Sequence, residues 1–383
     1  MKRLLWLDIA KGLAILWVVY FHFFQTYRPG SPSPMSGNFI AKVAGSNGWE
    51  SASASIETAA RVVWFAISGC GYHAVGLFII VSGWSLAAAS ARREAKAPIA
   101  WGEWYRSRFI RLYPMYWLAH LVYLVSPFVE RLEPIDYRFL ISLTGLRMID
   151  ISMNFMYLNA AWWYFAMLIQ LYALFPLLYL TMRKIGLWQY VLLAFAVGFI
   201  TRYLLLEVWH ASGGWILGGN ALSRLPEFAL GMVLGMLHLR DPAQVERWLL
   251  GGVGLVAGLA LYLVAPVFYT SSTAYVLADL WTGTCCFLCV VGVAALLEKW
   301  AVAAKWIGLV GVFSYGIYLV HQPYVIWVGL RIREWPAWAF FAITVVVLVV
   351  LSAWGICLEK FANAMLEKVV GGKKKPAAVA PAR

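Results

Sequence analysis

Residues 4–25 read LLWLDIAKGLAILWVVYFHFFQ, an apolar run long enough to cross a bilayer at about 1.5 Å per residue, interrupted by three ionisable side chains, Asp8, Lys11 and His22. A Lys or Asp at mid-span costs about 2.5–3.5 kcal/mol on translocon scales, so such a side chain persists by facing a protein interior or a wet cavity. At about 100° per residue, the step from Lys11 to His22 closes three turns plus about 20°, which sets both side chains on one stripe about 16 Å apart along the axis. Asp8 stands three residues before Lys11, within ion-pair reach on the same stripe, and Gly12 thins the wall beside it. The plain alternative is a snorkelling Asp8–Lys11 pair at the inner end and an interfacial His22 at the outer end. Ionisable groups inside a span are functional hypotheses by default, and the three are carried forward as such.

Composition sets the rest of the chain around this span. With 383 residues, 62% hydrophobic and only 13% charged, it departs from soluble domains, where charged residues run near about 25%. The expectation is an all-α integral membrane protein, and 21 Trp, 20 Tyr and 21 Phe suit the aromatic belts of many interface crossings. A formal net charge of +13 would also suit nucleic acid, but positive-inside topology accounts for it once the basic residues are placed, so no nucleic-acid partner is expected. Lys2 and Arg3 ahead of an apolar run imitate a signal peptide. Asp8 and Lys11 break that run and no small-x-small cleavage site follows, so the span reads as uncleaved with its N-terminus in the cytoplasm. The five cysteines fall in apolar stretches and suggest neither a disulfide framework nor a metal site, although Cys286 and Cys289 form a C-x-x-C.

About ten spans are expected, at 4–25, 62–89, 110–129, 160–182, 187–209, 221–239, 248–269, 275–297, 306–330 and 336–358, with both termini cytoplasmic. Residues 26–61, rich in Ser, Gly and Pro, belong outside, and the cluster Arg92, Arg93, Lys96, Arg106, Arg108 and Arg111 belongs inside. Residues 130–159 are too charged to cross and read as an outer loop with interfacial pieces. The division is a transmembrane domain over 1–360 and a basic cytoplasmic tail over 361–383, ending in Lys373, Lys374, Lys375 and Arg383. Gly231 with Gly235, and Gly254 with Gly258, are small-x-x-x-small pairs of the kind that pack helices.

Two constellations point to chemistry. Arg108 and Arg111 sit three apart in RFIR where the cytoplasmic loop enters the third span, and guanidinium forks bind phosphates bidentately, although inner membrane boundaries are rich in Arg in any case. His22 at the other end has the ordinary range of a general base and suits removal of a hydroxyl proton in acyl transfer to a sugar. No G-x-S-x-G elbow, H-E-x-x-H or Walker loop occurs, which removes serine-hydrolase, zincin and P-loop readings. Weaker candidates for the substrate are His321, the Arg224–Glu227 pair, and Trp163, whose ring beside Trp162 suits either an interfacial belt or sugar stacking. Arg202 reads as a snorkelling side chain near an outer end, and His73, His120 and His238 as satisfied structural histidines.

At these residues the chain resembles the acyltransferase family 3 membrane proteins. The resemblance runs in order over most of the chain: Lys11 to His22 in the first span, FIIVSGWSL at residues 78–86, RSRFIRLYPMYW at 106–117, and SYGIYLVHQP at 314–323. It implies transfer of an acyl group, often acetyl, from cytoplasmic acyl-CoA to an exported or lipid-linked carbohydrate at the bacterial inner membrane. It further implies that His22 and Lys11, with Asp8, serve the transfer, that Arg108 and Arg111 face the CoA phosphates, and that Ser82 lies on the cofactor side. No metal is implied. Many members carry a glutamate where Leu168 stands in WYFAMLIQLYALFP, a departure that bears on subgroup and acceptor. Many also append a soluble domain, where here a short basic tail follows, so the acyl group would go directly to the acceptor or to a separate envelope partner protein. A multi-span transporter or flippase of a glycan or lipid is the alternative, but the matched inverted repeats and broken spans of such folds are not found.

Overall fold

The computed structural model describes residues 4–45, 56–131 and 133–370, and among them the chain is helical with no strand. Twelve longer helices carry the fold: α1 Leu5–Tyr27, α2 Ile56–Gly69, α3 Ala74–Glu94, α4 Trp101–Val125, α5 Trp163–Ile185, α6 Leu187–Tyr203, α7 Leu225–Arg240, α8 Gly252–Val264, α9 Ala278–Leu297, α10 Ala301–Val312, α11 Ser314–Arg331 and α12 Ala337–Val370. The local chemistry of the breaks is legible. Gly186, at φ +93°, separates α5 from α6 in a conformation that a side chain would strain. Asn220 accepts the Leu222 N–H with its side chain at the turn before α7, and Pro226 fills the first turn of that helix, where its missing N–H costs nothing.

α1 is the hub. It packs against α3, α9, α10 and α11, and Ile9, Ala10, Ala14, Ile15, Val19, Phe23 and Phe24 are almost wholly buried. Close helix contacts rest on glycine. A Cβ on Gly311 would strike the Asp8 carbonyl oxygen, and one on Gly12 the Ile307 carbonyl, so α1 and α10 cross with backbones touching. The expected pair Gly231 and Gly235 does the same for α7 against α3, facing the Ile80 and Trp84 carbonyls. In the second expected pair, Gly258 meets Leu288 and Cys289 of α9, whereas Gly254 closes onto the Trp248 and Leu249 carbonyls just before α8, a turn contact and not a helix crossing.

Outward faces of α6, α8 and α12 expose Leu192, Ile200, Val253, Val256, Leu263, Val345 and Val349, an apolar coat that suits lipid. Seven helical stretches among the described residues are long and apolar enough to cross a membrane, or eight if the pair α10 and α11, bent by 78°, is one span. Two expected spans fall outside that set. At 221–239 the helix proper, α7, has only 16 residues, and at 110–129 α4 begins in the basic cluster and mixes its polar and apolar faces. α12 runs for 34 residues, past the expected domain boundary at 360. Lys2, Arg3, residues 46–55 of the expected outer loop, and the basic tail with Lys373, Lys374, Lys375 and Arg383 lie outside the described residues.

Residues 133–159 fold over α4 with short helices Arg138–Thr144 and Ile151–Asn154. Arg147, fully buried, bonds the Phe155 and Tyr157 carbonyls and the Ser142 hydroxyl, and His120 of α4 reaches the same hydroxyl at 2.8 Å. His120 is thus a satisfied structural histidine, as are His73, between Tyr262 and Tyr269, and His238, 3.0 Å from Glu246.

Candidate active site

One cavity of about 520 Å³ gathers most of the sequence candidates. α1 lines it with Lys11, Ile15, Val18 and His22, the stripe that helical periodicity predicts. α3 contributes Val75, Phe78, Ser82 and Ala89 at the same period, and α4 contributes Arg108, Arg111, Leu112 and Met115. Trp163, Tyr164, Leu168 and Tyr172 close it from α5, while Tyr315, Tyr318 and His321 enter from α11 and Glu359, Asn363 and Leu366 from α12.

Arg108 and Arg111 stand at one end. Arg108 is half-buried with its guanidinium 5.6 Å above the Trp104 ring, and its Nε is buried without a hydrogen-bond partner. Arg111 is exposed, and neither guanidinium has an ion pair among the described residues. Two forks that line a cavity with no ion pair among the described residues, although the Glu359 carboxylate shares that lining, fit a phosphate-bearing ligand. Lys11 pairs with Asp8 at 2.7 Å, and Asp8 itself is buried and does not line the cavity, so Lys11 is its link to the site. The start of α11 after the 78° bend adds a second polar feature: Glu359 accepts the Gly316 N–H at 2.8 Å, and the Tyr315 hydroxyl donates to the Leu112 carbonyl at 2.8 Å.

His22 lies toward the other end of the α1 stripe. Its ring is 5.3 Å from that of His321, and Gln322 approaches its Nδ1 at 3.5 Å. Trp163 joins this wall, but Trp162 turns away from any interface: it is buried, stacks on His120 with centroids 3.9 Å apart, and donates to the Leu319 carbonyl at 2.8 Å. The Tyr318 hydroxyl donates to the Ala161 carbonyl and accepts the Phe165 N–H, which ties α11 to the start of α5.

Arg224 and Glu227 are not brought to the cavity. They form a buried network elsewhere, with Arg224 2.9 Å from Glu227 and 3.4 Å from Asp279. Arg202 completes it at 2.6 Å from Asp279, with further bonds to the Tyr275 and Val276 carbonyls. The expected snorkelling of Arg202 therefore gives way to burial, because Asp279 one helix away supplies the counter-charge. Asp279, Glu359 and Gln322 are the residues that sequence reasoning missed. Asp279 carried a signal, a lone acid inside an apolar helix; Glu359 sat in the charged C-terminal part of α12 with Lys360, Glu367 and Lys368, and Gln322 carried none beyond its place next to His321.

A helical bundle with an apolar coat encloses a cavity lined by Lys11 and two arginines toward one end and by His22 and His321 toward the other, which marks an integral membrane protein. The acyltransferase family 3 model, described as an acyltransferase domain, matches residues 4–356, and the chain belongs to that family. No curated protein and no solved structure matches the chain. A membrane acyltransferase is the activity that this membership supports.

Proposed function

We propose that the chain transfers an acyl group, acetyl in the first instance, from acyl-CoA to a hydroxyl of an exported or lipid-linked carbohydrate at a cell membrane. The observation that carries this reading is that Arg108, Arg111, Lys11, Ser82, His22 and His321 all line one cavity. The separation of Lys11 from His22, eleven residues or about 16 Å along α1, suits an extended pantetheine arm with its phosphates at the arginines and its thioester at the imidazoles. The acceptor oxygen attacks the thioester carbon, a histidine takes the hydroxyl proton, the C–S bond breaks and the CoA thiolate leaves with that proton as the ester forms. Trp163 offers an aromatic face for a sugar at the same end. Purified protein incubated with radiolabelled acetyl-CoA and a lipid-linked saccharide pool should label the saccharide. Label that never leaves acetyl-CoA, in protein that binds it, would overturn the reading.

A further inference from the structure

A second cavity, of about 390 Å³, opens between α6 and α9. α6 packs on α5 and α7 but stands off α9 along this stretch. Its approach to α7 is set at Gly198, where a Cβ would strike the Pro226 ring, and the gap toward α9 is bridged at one end by Arg202, 2.6 Å from Asp279. Phe195, Ala196, Phe199 and Ile200 of α6 line one side of the groove, and Leu277 and Leu280, around the start of α9, line the other. Phe199, Ile200 and Leu277 are exposed, so the groove is continuous with the apolar coat that α6 turns to lipid. Two polar side chains border it, and both are committed elsewhere. The Arg202 guanidinium also donates to the Tyr275 and Val276 carbonyls, and the Ser223 hydroxyl lies 2.8 Å from the Ile216 carbonyl oxygen and 2.7 Å from that of Asn220. Water needs about two to four polar partners to settle in such a space, and this lining offers few.

We propose that this groove binds one acyl tail of a phospholipid, wedged between α6 and α9 and retained more tightly than the lipid around the protein. Size, chemistry and position agree. At about 30 Å³ for a group of water's size, which is close to a methylene, the cavity takes on the order of a dozen of them, a fatty-acid tail's worth. The lining is hydrocarbon, and the mouth opens on a face that meets the bilayer. α6 begins just after Arg183 and Lys184, which positive-inside topology places on the cytoplasmic side. Residues 195–202 lie about 12–22 Å further along the helix, so the groove runs from mid-bilayer into the outer leaflet. A tail of that leaflet enters beside the Arg202–Asp279 bridge and fills the space that the two helices leave below it. The filling stabilises, because a gap between helices forfeits the dispersion contacts of its lining. α6 depends on it more than its neighbours do, having few buried residues of its own: Leu187, Tyr190, Ala194, Gly198 and Arg202. The site is separate from the cavity at His22 and stands independently of the acyl-transfer reading.

Native mass spectrometry of the full chain, moved from palmitoyl-oleoyl phosphatidylglycerol nanodiscs into a mild detergent, should find about one phospholipid per chain that persists after the remaining lipid is washed away. Ala196→Trp puts an indole into the groove from an exposed position and should retain none under the same washing. Leu192→Trp, an exposed residue about one turn earlier on α6 that does not line the groove, is the control and should retain the lipid as the wild type does. Thermal melting gives a second readout on the same proteins. Adding the phospholipid back to delipidated wild type should raise its melting temperature, whereas Ala196→Trp, its gap already filled, should respond little. Lipid washed from the wild type in a continuous series, with no last molecule held back, means surrounding lipid only and overturns the proposal without recourse to any variant. Ala196→Trp that keeps its lipid as the wild type does, or Leu192→Trp that loses it, overturns the assignment to this groove.

Discussion

In the proposed reaction Arg108 and Arg111 hold the phosphates of the donor. Replacing either with Ala should raise the apparent KM for acetyl-CoA by one to two orders of magnitude, since a charged hydrogen bond is worth about 1.5–3 kcal/mol. Lys at either site should recover only part of the loss, because a point charge lacks the fork. An unchanged acetyl-CoA dependence in both Ala variants would reduce the pair to topological anchors. The Asp8–Lys11 pair makes a different point. Lys11→Ala removes the 2.7 Å ion-pair partner of buried Asp8, with a stability cost of up to about 3–5 kcal/mol, so Lys11→Ala with Asp8→Asn should regain thermal stability in detergent while transfer stays lost. Recovery of transfer in the double variant would make Lys11 purely structural. At this scale the sequence was most readable on α1, where ionisable groups at a helical period could only be a stripe. Gln322 was unreadable because its partner His22 lies 300 residues away, and no local pattern encodes such a contact.

Helices here meet through glycine and through one buried charge network, and each makes a stability prediction. Gly311→Leu should lower the melting temperature in detergent sharply, because overpacking typically costs about 1–3 kcal/mol and the side chain would be driven into the α1 backbone. Gly102→Ala, where a Cβ meets nothing within 4 Å, is the control and should leave it unchanged. Asp279→Ala would leave Arg202 and Arg224 buried without their shared carboxylate and should cost about 3–5 kcal/mol. The surviving folded fraction should show wild-type KM for acetyl-CoA, since none of the three lines the cavity. A raised KM would mean that the network reaches the donor site. Helix existence was legible from hydropathy, yet span count was less so. Hydropathy marked residues 221–239 as a crossing, but a short turn takes up the start of that stretch before α7 begins.

For the whole molecule, topology is the first test. If both termini and residues 92–111 lie on the cytoplasmic side, as the charge pattern leads one to expect, a reporter fused after Arg383 should be active only there, and activity outside would mean an odd number of crossings. The family's extent and the bundle class could be read from ordered motifs and composition; the meeting of seven helices around one cavity could not, because it depends on which faces of distant segments come together.

The length of α12 has a consequence for supply. Thirty-four residues make about 51 Å of helix, whereas a hydrocarbon core is about 30 Å thick, so about 20 Å of an untilted α12 stands outside it. Glu359, Asn363 and Leu366, which line the cavity, lie toward the C-terminal end of that helix, beside the two arginines. If the donor enters at the arginine end, as the proposed reaction requires, its doorway lies where α12 extends past the hydrocarbon. Thioesters dissolved in the aqueous phase meet it directly, while those whose long tails are sunk in the bilayer lie below its rim. In lipid nanodiscs, a short-chain acyl-CoA should thus compete for the arginine end far better than palmitoyl-CoA of equal total concentration, and the difference should shrink when the same protein is held in detergent.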